Sequence, residues 1–501
     1  MMEVWQQDWS AKWAVYSPEK VAVKEHERDR SLTYRQLNRL ANRLVFYLRS
    51  VYNLKKGDRV AVLAEFSLEY IIAFSAAQKA GIILVPLNYR LATAEIEYLI
   101  QDSAPALLIA EDKFTGILPA VSVPVVSTEH LEALLDPASH LPEDQYTELE
   151  QVQEDDPVFI LYTSGTTGFP KGALYTHKML FWNSINTAIS LIVNTESRTI
   201  NVMPPFHTGG WNVLVTPFLH HGAYVCLLKK FDAGTALELL QRERCTIFMG
   251  VPTILQMIAR DPGFEKADFP DMIYLIVGGE PMPIPLIEQW HAKKVPVRQG
   301  YGMTEAGPNL TSLHQNDAIS KKGSIGRPNF YVQIRIVDEN GQDQPPGGAP
   351  GELWLRGPMV MPGYWNNPKA SAAAFSDDGR WFRTGDELYQ DGEGYLFVVD
   401  RIKNMYKSGG ENVYPAEIER VLIQFPGVAE VAVTGVPDEK WGEVGKAFVV
   451  MQKDASFDTQ AMSDYCREKL ARFKIPKYFQ PMESLPKTDS GKINRNQLKK
   501  S

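Results

Sequence analysis

A chain of 501 residues is longer than one hydrophobic core supports, so it implies two or more domains. An apolar fraction of 44% with 22% charged residues is that of a globular protein, and a net charge of −8 argues against a nucleic-acid binder. Three widely separated cysteines, Cys226, Cys245 and Cys466, with no CxxC pair, argue against a disulfide framework or a zinc site.

The N-terminal "MMEVWQQDWSAKW" has neither the basic start nor the apolar stretch of a secretory signal. The most apolar region, "YIIAFSAAQKAGIILVPLN", is interrupted by Gln78, Lys79 and Gly81 and reads as a helix followed by a buried strand, not a transmembrane segment. A cytoplasmic location is the expectation. Upstream of it, Thr33 and Gln36 have capping-box spacing, and Leu37, Leu40, Leu44 and Leu48 follow at helical intervals. "GDRVAVLA" reads as a strand, "LEYIIAFSAAQKA" as a helix and "GIILVPLN" as a strand. Residues 221–261 repeat the alternation: strand "GAYVCLL", helix "DAGTALELLQRER", strand "CTIFMGV", helix "PTILQMIAR". Such alternation implies parallel sheets covered by helices.

Near residue 323 the pattern changes to apolar–polar alternation broken by "ENGQDQPPGGAPG", which predicts antiparallel hairpins. A short α+β unit follows "VVDRIKNMYKSGGENV", with helices at "PAEIERVLIQF" and "TQAMSDYCREKLA" and strands near "VAEVAVTGV" and "GKAFVVMQK". From Arg401 onward there are 17 basic and 13 acidic residues, against 35 and 47 before it. Pattern and charge both change there, which puts a boundary near Asp400–Lys403. A mildly basic C-terminal piece suits a polyanionic small molecule.

"SGTTGFPKG", after the apolar "PVFILYT", has the glycines that let backbone N–H groups converge on an anion, hydroxyls at Ser164, Thr166 and Thr167, and a cation at Lys171. It is not a Walker loop. Pro170 stands where the final glycine belongs, and Lys171 is followed by Gly172.

This stretch resembles the signature of the adenylate-forming superfamily, which comprises acyl-CoA synthetases, firefly-type luciferases and peptide-synthetase adenylation domains. Further motifs of that superfamily occur in order: "PPFHTGG", "VGGEPM", "QGYGMTEAG", "GELWLRGPMVMPGYW", "WFRTGD", "DRIKNMYKSGGENVYPAEIE" and "PKTDSGKINR". The resemblance implies a multi-domain α/β fold. Residues 1–400 would form a large domain with two helix-covered sheets and a small β-barrel, residues 401–403 a hinge, and residues 404–501 a small mobile α+β lid. It implies that a carboxylate attacks the α-phosphorus of ATP to give an acyl-adenylate and pyrophosphate, and that a thiol, usually of coenzyme A, then takes the acyl group and releases AMP. Both steps gain from positioning and fixed positive charge.

By resemblance, Thr163, Ser164, Gly165, Thr166, Thr167, Gly168 and Lys171 hold the β- and γ-phosphates. Glu305, with Ser164 as a second oxygen ligand, binds Mg2+. Thr304 contacts the α-phosphate. Gly278, Gly279, Glu280, Tyr301 and Gly302 form the adenine slot, and Asp386 and Arg401 grip the ribose. Lys492 promotes adenylation. Asp400 and Lys403 form the hinge, and Lys407, Gly409 and Gly410 serve the thiol step. His207 lines the carboxylate, with Thr208, Gly209, Trp211, Gly300 and Met303 around the acyl chain. Amino-acid-activating relatives usually carry an aspartate in the motif matched by "FHTGG"; its absence argues against an amino-acid substrate, whose ammonium would lie unpaired.

The segment "FHTGGWNVLVTPFLHHGA" most resembles bacterial fatty-acyl-CoA synthetases, so a medium- or long-chain fatty acid is expected, with an aryl acid of benzoate or cinnamate type next. The implied partners are a small-molecule carboxylic acid, ATP and coenzyme A, with no nucleic acid and with room for a homodimer. A carrier-protein ligase, a luciferase-like monooxygenase and a non-catalytic adenylate sensor share these motifs and stay open.

Overall fold

A computed structural model describes residues 7–136, 151–163, 170–279, 282–408, 411–453, 455–488 and 492–500. Ser164, Gly165, Thr166, Thr167, Gly168, Glu280, Gly409 and Gly410 lie outside the described residues. The chain forms two compact units, residues 1–333 with 355–382, and residues 334–354 with 383–501.

In the first unit the local signals translate directly into elements. Helix Tyr34–Tyr52 begins with Thr33 and Gln36 in a reciprocal capping box and ends at Asn53 in the left-handed region. Helix Leu68–Ala80, buried all round, ends at left-handed Gly81. Strands Arg59–Leu63, Ile83–Pro86, Leu107–Ala110 and Val125–Ser127 pair in parallel and join Pro157–Thr163 and Lys171–Thr176, an antiparallel hairpin, in a six-stranded sheet. A second sheet sets Tyr224–Leu227 parallel to both Val21–Glu25 and Arg198–Asn201.

The alternation at residues 221–261 divides between two sheets. Ile247–Gly250 does not join Tyr224–Leu227 but starts a third run, parallel to Tyr274–Val277 and Val297–Met303 and continued antiparallel by Gly307–Ser312 and Ser324–Pro328. Periodicity marks each strand but carries no information on which sheet receives it.

Trp211 is fully buried. Phe66 and Tyr70 meet it edge-on with ring centroids at 4.7 and 5.2 Å, and Phe74 and Phe159 lie at 5.3 Å. Its indole N–H donates to the Pro205 carbonyl at 2.8 Å, so its polar atom is satisfied inside the core.

Strands Leu396–Arg401, Phe382–Gln390, Gly351–Arg356 and Gln333–Val337, wholly or mostly in the second unit, lie side by side in that order. The expected multi-domain α/β fold is present, and among the described residues these strands belong to one sheet with no barrel closure. The remainder of this unit packs helices Pro415–Leu422 and Thr459–Arg467 on the long antiparallel pair Val428–Asp438 and Gly442–Met451. Residues 400–403 lie inside this unit. Among the described residues no helix is long and apolar enough to cross a membrane.

Candidate active site

The parallel strands of the third sheet end together. Gly250 is in register with Val277, and Val277 with Gln299. The chain beyond them therefore presents Gly278 and Gly279, and then Gly300 to Met303, along one carboxyl edge, where open α/β sheets bind ligands. Gly279 has φ +86°, which disfavours any residue with a side chain. A Cβ at Gly302 would lie 2.1 Å from the Pro308 carbonyl oxygen, so only glycine lets this strand pass so close to its neighbour. Tyr301 and Met303 are half-buried on the same strand.

Thr304 opens the short 3-10 turn Thr304–Ala306, which turns the chain into the antiparallel strand Gly307–Ser312. Glu305 is 8% exposed. Its Oε1 accepts the Tyr364 hydroxyl at 3.0 Å, and its carbonyl accepts the Met361 N–H at 2.8 Å. Burial and then the Glu305 carboxylate push the Tyr364 phenol above its ordinary value, so it remains a proton donor throughout the physiological range.

Tyr364 is held from the other side by the signature hairpin. Trp365 N–H donates to the Gly172 carbonyl at 2.7 Å and Leu174 N–H to the Gly363 carbonyl at 3.1 Å. The Lys171 ammonium lies 5.3 Å from the Tyr364 ring centroid, within cation–π reach. Thr163 is opposite Lys171 in the hairpin. Lys171, Tyr364 and Glu305 thus form one line from the phosphate-loop lysine to the motif carboxylate. Tyr364 lies in the quoted "PGYW" yet went unassigned from sequence, because nothing local in a tyrosine says which carboxylate it meets.

His207 caps the short helix Thr208–Asn212 with extended backbone, half-buried beside Phe206 at a ring separation of 4.6 Å. Thr208 accepts the Asn212 side-chain amide at 3.2 Å. Gly209 is half-buried. Trp211, expected from the sequence beside these residues, is fully buried among the rings of Phe66, Tyr70, Phe74 and Phe159.

In the second unit, Asp386 is directly across from Arg401 on adjacent strands and 5% exposed. Arg401 Nε is 3.1 Å from its Oδ1. Asp400 accepts the Arg401 N–H and the Asn404 amide through Oδ1, and caps helix Pro415–Leu422 by accepting the Ala416 N–H through Oδ2 at 2.9 Å. Lys403 is exposed in the turn Ile402–Asn404, and Lys407 is exposed on strand Tyr406–Ser408. Lys492 is exposed on a hairpin whose legs pair at Lys487 and Ile493.

Among the described residues no group of three or more His, Cys, Asp or Glu side chains could hold a metal. A lone buried carboxylate fits Mg2+, which takes one or two carboxylates and completes its shell with substrate phosphates and water, better than it fits an all-protein cage.

The first unit is α/β and brings together the glycine-lined ends of parallel strands, a cation on the signature hairpin and a buried motif carboxylate. The family model for AMP-binding enzymes matches residues 10–365, and that for the AMP-binding enzyme C-terminal domain matches residues 417–492. The chain is 37% identical over 495 residues to a feruloyl-CoA synthase of an Amycolatopsis species, covering 98% of each protein. It is 37% identical over 500 residues to a long-chain-fatty-acid–CoA ligase of Mycobacterium tuberculosis, covering 97% of this chain and 96% of the other. The O-succinylbenzoate–CoA synthetase of Bacillus subtilis, solved with ATP and magnesium ion, superposes with a TM-score of 0.85 at 32% identity over 98% of this chain and 99% of that one. The chain therefore belongs to the AMP-binding enzymes, and its activity is that of an ATP-dependent, AMP-forming acyl-CoA synthetase.

Proposed function

We propose that the enzyme activates an apolar monocarboxylic acid, foremost a medium- or long-chain fatty acid, within fatty-acid metabolism. The observation that carries this choice is the segment 206–212, which has no carboxylate or basic amine. The polar groups of Asn212 are engaged internally: the Asn183 amide donates to its carbonyl at 2.7 Å and Thr216 to its side chain at 3.0 Å. A charged substrate tail would meet no partner there. An aryl acid is the second reading, favoured by the 37% identity to a feruloyl-CoA synthase.

The roles are those that the family resemblance implies. The loop at residues 163–168 and Lys171 grip the β- and γ-phosphates. Gly278, Gly279, Glu280, Tyr301 and Gly302 accept adenine, and Asp386 with Arg401 engages the ribose. Glu305, steadied by Tyr364, and Ser164 would hold Mg2+, which neutralises phosphate charge when bound. Thr304 donates to the α-phosphate. His207 orients the acid carboxylate, and Thr208, Gly209, Gly300 and Met303 flank its chain, with Trp211 as packing behind. Lys492 offsets the repulsion between carboxylate and α-phosphate as they close. Rotation of the lid about Asp400 and Lys403 then exchanges Lys492 for Lys407, Gly409 and Gly410, which serve attack by the coenzyme A thiol.

The test is coenzyme-A-dependent AMP release with octanoate, laurate, palmitate, benzoate, cinnamate, ferulate, an amino acid and a dicarboxylate. The proposal expects the highest kcat/KM among the aliphatic acids. A maximum at cinnamate or ferulate replaces it with the aryl reading, and a maximum with an amino acid or a dicarboxylate refutes both.

A further inference from the structure

The hairpin that carries Lys492 is fastened to the second unit by both legs. Thr488 N–H donates to the Lys492 carbonyl at 2.6 Å and Asn494 N–H to the Pro486 carbonyl at 2.7 Å, which closes the hairpin. On the leg before the tip, the Lys487 ammonium is 3.0 Å from Glu430, but both side chains are about two-fifths exposed (41% and 40%), so this pair contributes little. The leg after the tip is held differently. Arg495 offers both terminal nitrogens to Glu419, at 2.6 and 2.9 Å, in a two-pronged pair only 20% and 15% exposed. The same guanidinium donates to the Val433 carbonyl at 3.1 Å, while Glu419 Oε1 accepts the Val433 N–H at 2.6 Å.

One carboxylate and one guanidinium therefore lock three elements together: helix Pro415–Leu422, strand Val428–Asp438 and the hairpin's outgoing leg. Ile493 packs beside this lock against the buried set Ala432, Phe448, Leu485 and Leu498. The planar fork fixes direction as well as distance, which a flexible ammonium does not.

We propose that Arg495 and Glu419 are positioning residues for adenylation: their pair sets where the Lys492 side chain leaves the lid. This rests on the reading of Lys492 as the adenylating lysine. Arg495 is three residues beyond Lys492, so any swing of the fork is carried directly to Lys492. The thiol-step residue Lys407 is on strand Tyr406–Ser408, and its own backbone N–H is tied to Glu443 at 3.2 Å, independent of the fork. Loosening the fork must then impair one half-reaction and spare the other, whereas a pair that merely stabilised the lid would move both.

The test uses full-length Glu419→Gln, Arg495→Met and the milder Arg495→Lys, with Lys492→Ala as reference. Acyl-adenylate formation and thioester formation from supplied acyl-adenylate and coenzyme A are measured separately. The expected result is a fall in the adenylation rate of tenfold up to roughly a hundredfold, the scale of losing alignment by about 1 Å. The KM for ATP and the thioester rate stay within about twofold of wild type. Arg495→Lys, which keeps the charge but not the fork, falls in between. Proportional loss of both half-reactions in Arg495→Lys, or unchanged adenylation in all three variants, overturns the proposal. If Lys492→Ala itself retains adenylation, it is the reading of Lys492 that fails.

Discussion

Trp211 is proposed as packing behind the acyl chain, and the effect of replacing it follows from its surroundings. The side chain is fully buried, four aromatic rings lie within 5.3 Å, and its N–H is bonded to Pro205. Trp211→Ala removes that packing and leaves a cavity, a loss of about 3–5 kcal/mol. The first unit spans roughly 360 residues, for which an unfolding entropy of about 2 cal/mol/K per residue gives ~0.75 kcal/mol/K. Tm should therefore fall by about 4–7 °C. Trp211→Phe keeps an aromatic ring but strands the Pro205 carbonyl, costing about 1–3 kcal/mol. Scanning calorimetry gives both values, and kcat/KM across the aliphatic series gives the companion readout. The account expects Trp211→Phe to lower Tm while the preferred chain length stays put. An unaltered Tm with a displaced chain-length optimum would refute it and return Trp211 to the acyl pocket.

Tyr364→Phe keeps the ring beneath Lys171 but removes the donor to Glu305. A hydrogen bond to a charged group contributes about 1.5–3 kcal/mol, so adenylation should slow by roughly ten- to a hundredfold. Calorimetric titration of Mg2+ into the ATP-loaded variant should show weaker binding, and unchanged rate and binding would remove Tyr364 from the site. Gly302→Ala forces a Cβ to within 2.1 Å of the Pro308 carbonyl oxygen, so the strand must shift. A stability loss of about 1–3 kcal/mol with weakened ATP binding is expected, read by calorimetry and titration. His177 is buried, which lowers its pKa from 6.5 to about 4. Between those values the unfolded chain binds a proton that the folded chain refuses, so stability is full above pH 6.5 and declines as pH falls toward 4. Urea unfolding should show a loss of about 2 kcal/mol from this residue on going from about pH 7.5 to 5, and His177→Gln should remove that share. An identical pH slope in the variant would contradict the assignment.

Elements announced by local chemistry were legible in the sequence. The Thr33–Gln36 capping box, the apolar run ending at Gly81 and the alternation around Val428–Asp438 each describe their own neighbourhood. The partition of Tyr224–Leu227 and Ile247–Gly250 into different sheets was not legible, because strand pairing is decided by residues 200 positions away, as when Val225 pairs with Val23. The same limit governed the site. Glycines and Glu305 announced themselves through motif spacing, whereas Tyr364, Arg495 and Glu419 act through partners 59 and 76 residues distant. Adjacency to His207 in sequence says nothing of which way the Trp211 ring points, and helix Thr208–Asn212 leaves it fully buried.

The central claim is a reaction in two separable halves run by one lid. The most direct measurement is acid-dependent exchange of labelled pyrophosphate into ATP without coenzyme A, beside thioester formation from supplied acyl-adenylate, in wild type and in Lys492→Ala. The account predicts exchange in the wild type only when the acid is present, its loss in Lys492→Ala, and thioester formation in both proteins. Absence of exchange with every acid of a broad panel, or equal loss of both halves in Lys492→Ala, would contradict it.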